Sequence, residues 1–121
     1  MGEKRFSESA QINRQIVRKA LKEFQSTLAE VYSAQTPGIL IYGSYARRQE
    51  HDESDVDLLL IFNHKVHPAE EIQRLSAILA DLNLRYHLLI SILPVAQDRF
   101  EHSQESFWKN VRRDGIPTSK L

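Results

Sequence analysis

The sequence predicts an α/β (α+β) fold in which helices flank a small β-sheet. Three observations lead to this prediction. Apolar residues recur with the period of a helix near both ends of the chain and once in its middle. Short, nearly continuous apolar runs lie between these segments, as is typical of buried strands. The two kinds of segment alternate in the order α-β-α-β-α-β-α, and a length of 121 residues favours one domain, residues 1–121.

The first helix is predicted over residues 9–34, with Ser7 or Ser9 as its N-cap. Its apolar residues recur every three or four positions, as a helix with one buried face requires. They are Ile12, Ile16, Val17, Ala20, Leu21, Phe24, Leu28 and Val31. Pro37 ends the helix, because a residue that precedes proline avoids helical geometry.

The core of the domain is predicted to span residues 38–95 and to begin with the strand Ile39–Tyr42. A short helix is expected next, from Ser44 to about Glu50. The second strand, Asp55–Phe62, has an unbroken apolar half, which indicates burial on both faces.

The second half of the chain is predicted to contain two helices and one strand. Pro68 suits the first turn of a helix whose apolar stripe is Ile72, Leu75, Leu79 and Leu82. The third strand is Tyr86–Val95, and Pro94 is expected to stop it. The last helix covers residues 104–113, with Gly115 as its C-cap. Only one of the adjacent residues Phe107 and Trp108 is expected to face the core.

The composition indicates a soluble, cytoplasmic protein. The chain has 16 Lys and Arg residues and 16 Asp and Glu residues, so its charge gives no direct signal for a nucleic-acid partner and none for a membrane. It has no cysteine, which excludes disulfides and thiolate metal sites and is compatible with a reducing compartment. No apolar run is long enough to act as a signal peptide or to span a membrane.

Asp55 and Asp57 are the first candidate functional residues. On a strand, residues two apart point to the same face, so the two carboxylates are expected to lie side by side. Ionised carboxylates in that position repel each other, and a divalent cation such as Mg²⁺ relieves the repulsion with oxygen ligands that it prefers. An isolated Asp-x-Asp more often lies in a solvated turn, so the interpretation depends on the neighbouring residues.

Gly43 and Ser44 provide that context, because they follow a predicted strand and open a predicted helix. Glycine lets the backbone approach a ligand closely, and the amides of a helix N-terminus attract phosphate. The Ser44 hydroxyl adds a further donor. Arg47 and Arg48 follow within one turn, and a guanidinium there can reach a triphosphate. The sequence therefore predicts a phosphate cradle next to a metal-binding pair.

The pattern Gly43-Ser44-x-Ala46-Arg47, followed after Ser44 by ten residues and then by Asp55-x-Asp57, resembles the signature of the DNA polymerase β-like nucleotidyltransferase superfamily. The length resembles that of its minimal members, which are often encoded beside a helical partner of the HEPN type. The resemblance covers nearly the whole chain and implies the nucleotidyltransferase fold, with a small mixed sheet in an α-β-α-β-α-β core.

By this resemblance, Gly43, Ser44 and Arg47 bind the nucleotide phosphates, and Asp55 and Asp57 are catalytic and bind Mg²⁺ or Mn²⁺. The substrate is ATP or another nucleoside triphosphate, and a nucleoside monophosphate, most often AMP, is transferred to a hydroxyl. The acceptor is expected on a partner protein such as a HEPN toxin. The alternative is a non-catalytic antitoxin or binding protein of the same fold that acts by contact alone. A homo-oligomer is also left open.

The sequence departs from the family at two positions. Active members usually carry a third carboxylate on the strand after the long helix, whereas Leu89, Ile90 or Ser91 occupies that position here. Ser91 and His87 are auxiliary candidates for the missing ligand. The family commonly has glycine at the position of Arg48, so an arginine is strained there if the backbone requires a positive φ.

Four further polar residues have a simpler explanation than a role in a site. His64 and His67 lie in a loop without a third metal ligand, and an exposed pair is the simpler interpretation. His51 and Asp52 are near enough to the predicted site to reach a substrate, although a solvated turn is the simpler expectation for them.

Overall fold

The structure is a computed structural model that describes the backbone of residues 2–51 and 55–121, and the side chains from residue 11 onward within those ranges. It contains four helices and four strands, with short 3-10 turns at Ser33–Gln35 and Thr118–Lys120. In chain order these elements are α1 (Gly2–Tyr32), β1 (Gly38–Tyr42), β2 (Val56–Phe62), α2 (Pro68–Tyr86), β3 (Ile90–Ala96), α3 (Gln97–His102), α4 (Ser106–Asp114) and β4 (Ile116–Pro117).

The four strands form one mixed sheet in the order β3-β2-β1-β4. β1 pairs with β2 and with β4 in antiparallel fashion, whereas β2 and β3 are parallel because α2 connects them. The predicted α/β fold with a small mixed sheet is confirmed. Within the described part of the chain, no helix combines the length and the hydropathy that a membrane span requires.

One face of the sheet packs against α1 and α2. Alternate residues of β2 point to this face and meet apolar side chains of both helices in a single core. Its fully buried members include Val17, Phe24, Leu28, Ile41, Val56, Leu58, Leu60, Phe62, Leu75 and Leu82. The predicted burial of β2 is therefore correct, because the intervening residues of this strand pack on the other face.

The other face of the sheet packs against α4. Trp108 and Val111 of this helix contact a second core that includes Leu59 and Val95. Trp108 is only 6% exposed, whereas the neighbouring Phe107 is 42% exposed, which confirms that one of these two residues faces the core. Because Asp57 is two residues before Leu59 on β2, its side chain lies on this same face of the sheet.

α1 begins earlier than predicted, at Gly2, so neither Ser7 nor Ser9 caps it. The segment that precedes residue 9 contains good helix formers and no proline, so the helix continues through both serines. Ile12 is 59% exposed and Val31 is 40% exposed, so the buried stripe of α1 is shorter than predicted. In α2, Ile72 is likewise 41% exposed, whereas the other three predicted stripe residues are buried.

β3 begins at Ile90 and not at Tyr86, which is the last residue of α2. His87 caps that helix in the left-handed conformation, with φ 53°. The Ile90 N–H then donates to Asn83 Oδ1 at 2.8 Å, which fixes the start of the strand. Pro94 lies within β3, because an edge strand has one side where a missing N–H does no harm.

The C-terminal region contains two elements that the sequence did not reveal, α3 and β4, and α4 spans Ser106–Asp114 where residues 104–113 were predicted. Gly115 caps α4 as predicted, and its N–H donates to the Val111 carbonyl at 2.7 Å. Its φ is −65°, so no left-handed conformation requires glycine here. A Cβ at this position would instead lie 2.6 Å from Leu40 Cδ2, so close packing of β1 requires it.

A buried ion pair joins α1 to the segment after β1. Arg14 Nε and Nη2 donate to the two carboxylate oxygens of Glu50 at 2.5 and 3.0 Å, and Nη2 also donates to the Tyr45 carbonyl at 3.1 Å. Both side chains are less than 10% exposed. Arg14 therefore holds two points of the segment that connects β1 to β2.

Glu50→Gln is expected to lower the free energy of unfolding by about 3 kcal/mol, because breaking a buried ion pair leaves the remaining charge buried. Urea denaturation at neutral pH measures the change. Glu105→Gln is the matched control, since its partner Arg99 is 3.4 Å away and both side chains are at least 60% exposed. The control is expected to cost less than about 1 kcal/mol. Equal effects of the two substitutions would contradict a structural role for the buried pair.

Candidate active site

The segment that follows β1 is a turn from Gly43 to Arg48 and not the predicted helix. The Arg47 N–H donates to the Gly43 carbonyl at 3.2 Å, and the Gln49 N–H donates to the Ser44 carbonyl at 2.8 Å. Arg48 has φ 55°, which ends any helical continuation. A helix N-terminus therefore does not contribute to phosphate binding here. What remains is the Ser44 side chain, the Arg47 guanidinium and the backbone of the turn.

Arg48 confirms the strain that the sequence predicted at this position. The left-handed conformation costs a residue with a Cβ about 1–2 kcal/mol relative to glycine. The Arg48 side chain is exposed and does not line the cleft described below. The backbone of Arg48 determines the shape of the turn. Within the described residues, its guanidinium makes no hydrogen bond or ion pair with Asp55 or Asp57.

Gly43 has φ 78° and lies against Asp57 of β2. The preceding residue, Tyr42, is the partner of Asp57 in the antiparallel ladder, so the turn starts where the carboxylate projects. A Cβ on Gly43 would overlap Asp57 Oδ2 and would lie 3.3 Å from its Cγ. Both the backbone conformation and the space beside the carboxylate therefore require glycine.

An open cleft of about 420 Å³ lies above this edge of the sheet. It brings together most of the predicted site residues, and its size falls in the range of small-molecule sites. The residues that line it are Gly43, Ser44, Arg47, Gln49, His51, Asp55 and Asp57. Gln49 was not predicted, and its only signal was its position between two candidate motifs.

Asp55 and Asp57 differ in their surroundings. Asp57 is part of β2 and half-buried, whereas Asp55 precedes the strand and is exposed. Burial raises the pKa of Asp57, the charge of Asp55 raises it further, and the charge of Arg47 lowers it. The cleft thus contains two carboxylates whose mutual repulsion is only partly offset by a cation of the protein itself.

These two carboxylates fit a magnesium ion that shares its remaining coordination positions with a nucleotide. Mg²⁺ usually binds to one or two carboxylates and completes its octahedron with water and substrate phosphates. Among the described residues, no group of three or more His, Asp and Glu side chains is arranged to hold a metal. Within the described part of the chain, Asp55 and Asp57 would supply two of the ligands that such an ion needs, and phosphate oxygens could supply others.

Arg47 lies on the wall of the cleft, with an exposed side chain whose Nε donates to Gln49 Oε1 at 3.2 Å. Its charge lowers the pKa of Asp57 and also that of Asp114 on α4. The guanidinium thus acts electrostatically on a carboxylate of β2 and on one of α4. The positive charge of Arg47 is therefore close enough to interact with an anionic ligand in the cleft.

Ser91 is the residue of β3 that lies beside Asp57, because the two are partners in the parallel ladder. Ile90 points to the opposite face and belongs to the first core. Leu89 precedes the strand and is 56% exposed, and its carbonyl accepts the Val56 N–H at 2.9 Å. The position next to Asp57 therefore carries a hydroxyl where active relatives were expected to carry a carboxylate.

Of the other predicted residues, only His51 lines the cleft within the described part of the chain. His87 caps α2 and does not line the cleft. His64 and His67 are exposed in the loop before α2, as expected. His51 lines the cleft, and Asp52 belongs to residues 52–54, which the structure does not describe.

Comparison with known proteins agrees with this architecture. A family profile described as "Polymerase beta, Nucleotidyltransferase" matches residues 22–107. Two relatives from Methanocaldococcus jannaschii carry the name "Putative protein adenylyltransferase". One is 29% identical over 98 residues, which are 80% of this chain and 92% of the relative. The other is 31% identical over 71 residues, which are 59% of this chain and 71% of the relative.

Two solved structures share the fold. A crystal structure described as a toxin-antitoxin with AMP-PNP has a TM-score of 0.55 at 14% identity, and the match covers 84% of this chain and 71% of that one. A structure from Sulfolobus solfataricus described as a "putative nucleotidyltransferase" has a TM-score of 0.53 at 15% identity, over 91% and 82% of the two chains. The family profile covers most of the chain, including both motifs of the cleft. The chain therefore belongs to the minimal nucleotidyltransferases of the DNA polymerase β-like superfamily.

Proposed function

We propose that this protein binds ATP with Mg²⁺, or with Mn²⁺, and transfers AMP to a hydroxyl group of a partner protein. The observation that carries the proposal is the convergence of Gly43 and Ser44 with Asp55 and Asp57 on one cleft. The name of the two relatives supports AMP as the transferred group and a protein as the acceptor. The description of one structural neighbour as a toxin-antitoxin is compatible with a toxin as that partner, and the sequence resemblance implies one of the HEPN type.

The chemistry follows from the polarity of the cleft. The turn at Gly43 and Ser44 would bind the β- and γ-phosphates, with Arg47 offsetting their charge. A metal ion held by Asp55 and Asp57 would supply Lewis-acid stabilisation of the charge that develops at the α-phosphorus. The acceptor oxygen forms a bond to the α-phosphorus, the bond from that phosphorus to the bridging oxygen breaks, and pyrophosphate leaves.

The acceptor hydroxyl must also lose its proton. Ser91 beside Asp57 is a poor general base at neutral pH, because the oxygen of a neutral hydroxyl is far less basic than that of a carboxylate. The proton can pass to solvent, to His51 or a carboxylate of the cleft, or to a base that the partner protein contributes.

Two measurements test the proposal. Mg-ATP at 100 times its dissociation constant stabilises a protein by about 2.7 kcal/mol, which for a domain of this size raises the Tm by about 10 °C. ATP labelled at the α-phosphorus is expected to label a co-expressed HEPN-type protein, whereas ATP labelled at the γ-phosphorus is not. Labelling from the γ-phosphate would indicate phosphorylation, and the absence of both the Tm rise and the labelling would overturn the proposal.

A second function is a contact-only antitoxin that retains the fold without catalysis. The observation that favours it is the hydroxyl of Ser91 at the position where a third carboxylate was expected. In this case the partner would be neutralised without ATP. Adding ATP or removing Mg²⁺ would leave the neutralisation unchanged.

Ser91→Asp separates the two functions. A positioned general base contributes about 10²–10⁴-fold to proton transfer, so the substitution is expected to increase AMP transfer by about 100-fold. Ser91→Asn is the control, because asparagine has the same size as aspartate and no charge. The added carboxylate is also expected to lower the Tm of the metal-free protein and to increase its response to Mg²⁺. If neither the wild type nor Ser91→Asp transfers AMP, the contact-only function is favoured.

A further inference from the structure

A second, smaller cavity of about 160 Å³ adjoins the cleft. It shares Gly43 and Arg47 with the cleft, so the two spaces are adjacent at the start of the turn. The residues that line it are Tyr42, Gly43, Arg47, Phe107, Asn110, Val111 and Asp114. It is referred to below as the α4 pocket, because four of these residues belong to α4.

The α4 pocket has an aromatic wall. The rings of Tyr42 and Phe107 meet edge to face, with centroids 5.7 Å apart. Phe107 also meets the buried Trp108 edge to face at 4.9 Å. Phe107 is 42% exposed although its ring is held from both sides. It therefore presents a fixed apolar surface to whatever enters the pocket.

Polar groups stand beside this wall on the same face of α4. Asn110 is three residues after Phe107, and Asp114 is four residues after Asn110, so the three side chains follow one another along one face of the helix. The Asn110 amide offers both donors and an acceptor. Arg113 donates to the two Asp114 oxygens at 2.9 and 3.0 Å, which holds that carboxylate as an ionised acceptor.

We propose that the α4 pocket binds the base of the nucleotide and selects a base with an exocyclic amino group, of which adenine fits best. This inference rests on the proposed function, because it assumes that the phosphates lie at Gly43 in the adjacent cleft. An apolar wall with a few polar groups is the usual composition of a small-molecule site. An asparagine amide pairs with the amino group and a ring nitrogen of adenine through two hydrogen bonds.

Asp114 explains why the amino group matters. An ionised carboxylate can only accept hydrogen bonds, so it favours an amino group and disfavours the carbonyl oxygen that hypoxanthine or uracil presents. The same negative charge makes the α4 pocket less favourable for phosphate than the turn at Gly43 and Ser44. Arg47 lines both spaces, so its positive charge is available to phosphates that lie in the cleft.

The experiment measures the dissociation constants of three ligands in the presence of Mg²⁺, by calorimetry: ATP, ITP and inorganic tripolyphosphate. Tripolyphosphate reports the cleft alone, because it has no base. The wild-type protein is expected to prefer ATP over ITP by about 10-fold or more and to bind tripolyphosphate more weakly than ATP. Asn110→Leu keeps the size of the side chain and removes its amide.

Asn110→Leu is expected to weaken ATP binding by about 10-fold, to abolish the preference for ATP over ITP, and to leave tripolyphosphate binding unchanged. Lys109→Leu is the control, since Lys109 is an exposed neighbour on α4 that does not line the pocket. Both variants alter exposed residues, and a thermal melt checks that each is folded.

Three outcomes distinguish the inference from the function on which it rests. Selective loss of ATP affinity in Asn110→Leu supports the base-binding pocket. Unchanged ATP affinity in this variant, with tripolyphosphate still bound, overturns the pocket and leaves the proposed function in place. If the wild-type protein binds neither ATP nor tripolyphosphate, the proposed function fails together with the pocket.

Discussion

Asp57→Asn is expected to abolish the rise in Tm that Mg-ATP produces and to reduce AMP transfer by about 100-fold or more. The substitution keeps the shape of the side chain and removes its charge. A metal ion contributes several kcal/mol of charge stabilisation in the transition state, and each 1.36 kcal/mol corresponds to a factor of ten in rate. Thermal melts with and without Mg-ATP, together with the α-phosphorus label, measure both effects.

The same substitution is expected to stabilise the protein in the absence of metal. Burial and the charge of Asp55 raise the pKa of Asp57 above its ordinary value of 3.8, so the folded state holds this proton to a higher pH than the unfolded state does. The free energy of unfolding of the wild type therefore decreases as pH rises through that interval. Relative to the wild type, the stability of Asp57→Asn is expected to increase from about pH 4 to neutral pH.

Asp98→Asn is the matched control for Asp57→Asn. Asp98 lies on α3, and its side chain is 94% exposed. The control is expected to retain the full response to Mg-ATP and to change the stability by less than about 0.5 kcal/mol. A variant at position 57 that still binds Mg-ATP with wild-type affinity would contradict the assignment of this carboxylate to the metal site.

Gly43→Ala is expected to eliminate nucleotide binding and to lower the free energy of unfolding by about 1–3 kcal/mol. Two physical effects combine at this position. The φ of 78° is strained for any residue with a Cβ, and the added methyl group would overlap Asp57 Oδ2. The carboxylate must move away, so the loss of Mg-ATP binding is expected to exceed what the loss of stability explains.

Gly38→Ala is the control for that substitution, because a Cβ at Gly38 meets no atom within 4 Å and lies at the start of the same strand. It is expected to leave Mg-ATP binding unchanged. The comparison uses calorimetric titration at a temperature at which both variants are folded. If Gly43→Ala binds Mg-ATP as tightly as Gly38→Ala does, the close approach of the turn to Asp57 has no part in the site.

Much of the fold could be predicted from the sequence, because hydrophobic periodicity and turn residues are local signals. The strands around Ile41 and Leu59 and the long helix from Pro68 follow directly from them. The predicted secondary structure was wrong where a tertiary contact determines the start or the presence of an element. Tyr86 remains helical because Asn83 holds the first residue of β3, and the short strand β4 forms because β1 offers it an edge.

The motif residues were also predictable, but their environment was not. Tyr45, in the middle of the turn, is only 1% exposed and packs in the first core, which its position in the motif does not indicate. The helix expected after Ser44 is a turn, because the chain must return to Glu50, where Arg14 holds it. The α4 pocket could not be predicted from the motif region alone, since four of its lining residues come from a helix about 60 positions later.

The class of fold, the two motifs of the cleft and the lack of an acidic residue on β3 could all be predicted before folding is considered, because they depend on residue types at short spacings. The residue beside Asp57 could not be predicted in this way: of three candidates it is Ser91, which the register of two parallel strands places there. Register depends on how the strands pack against both cores, and no local pattern contains that information. For the same reason, only the folded chain places Asn110 and Phe107 next to Gly43.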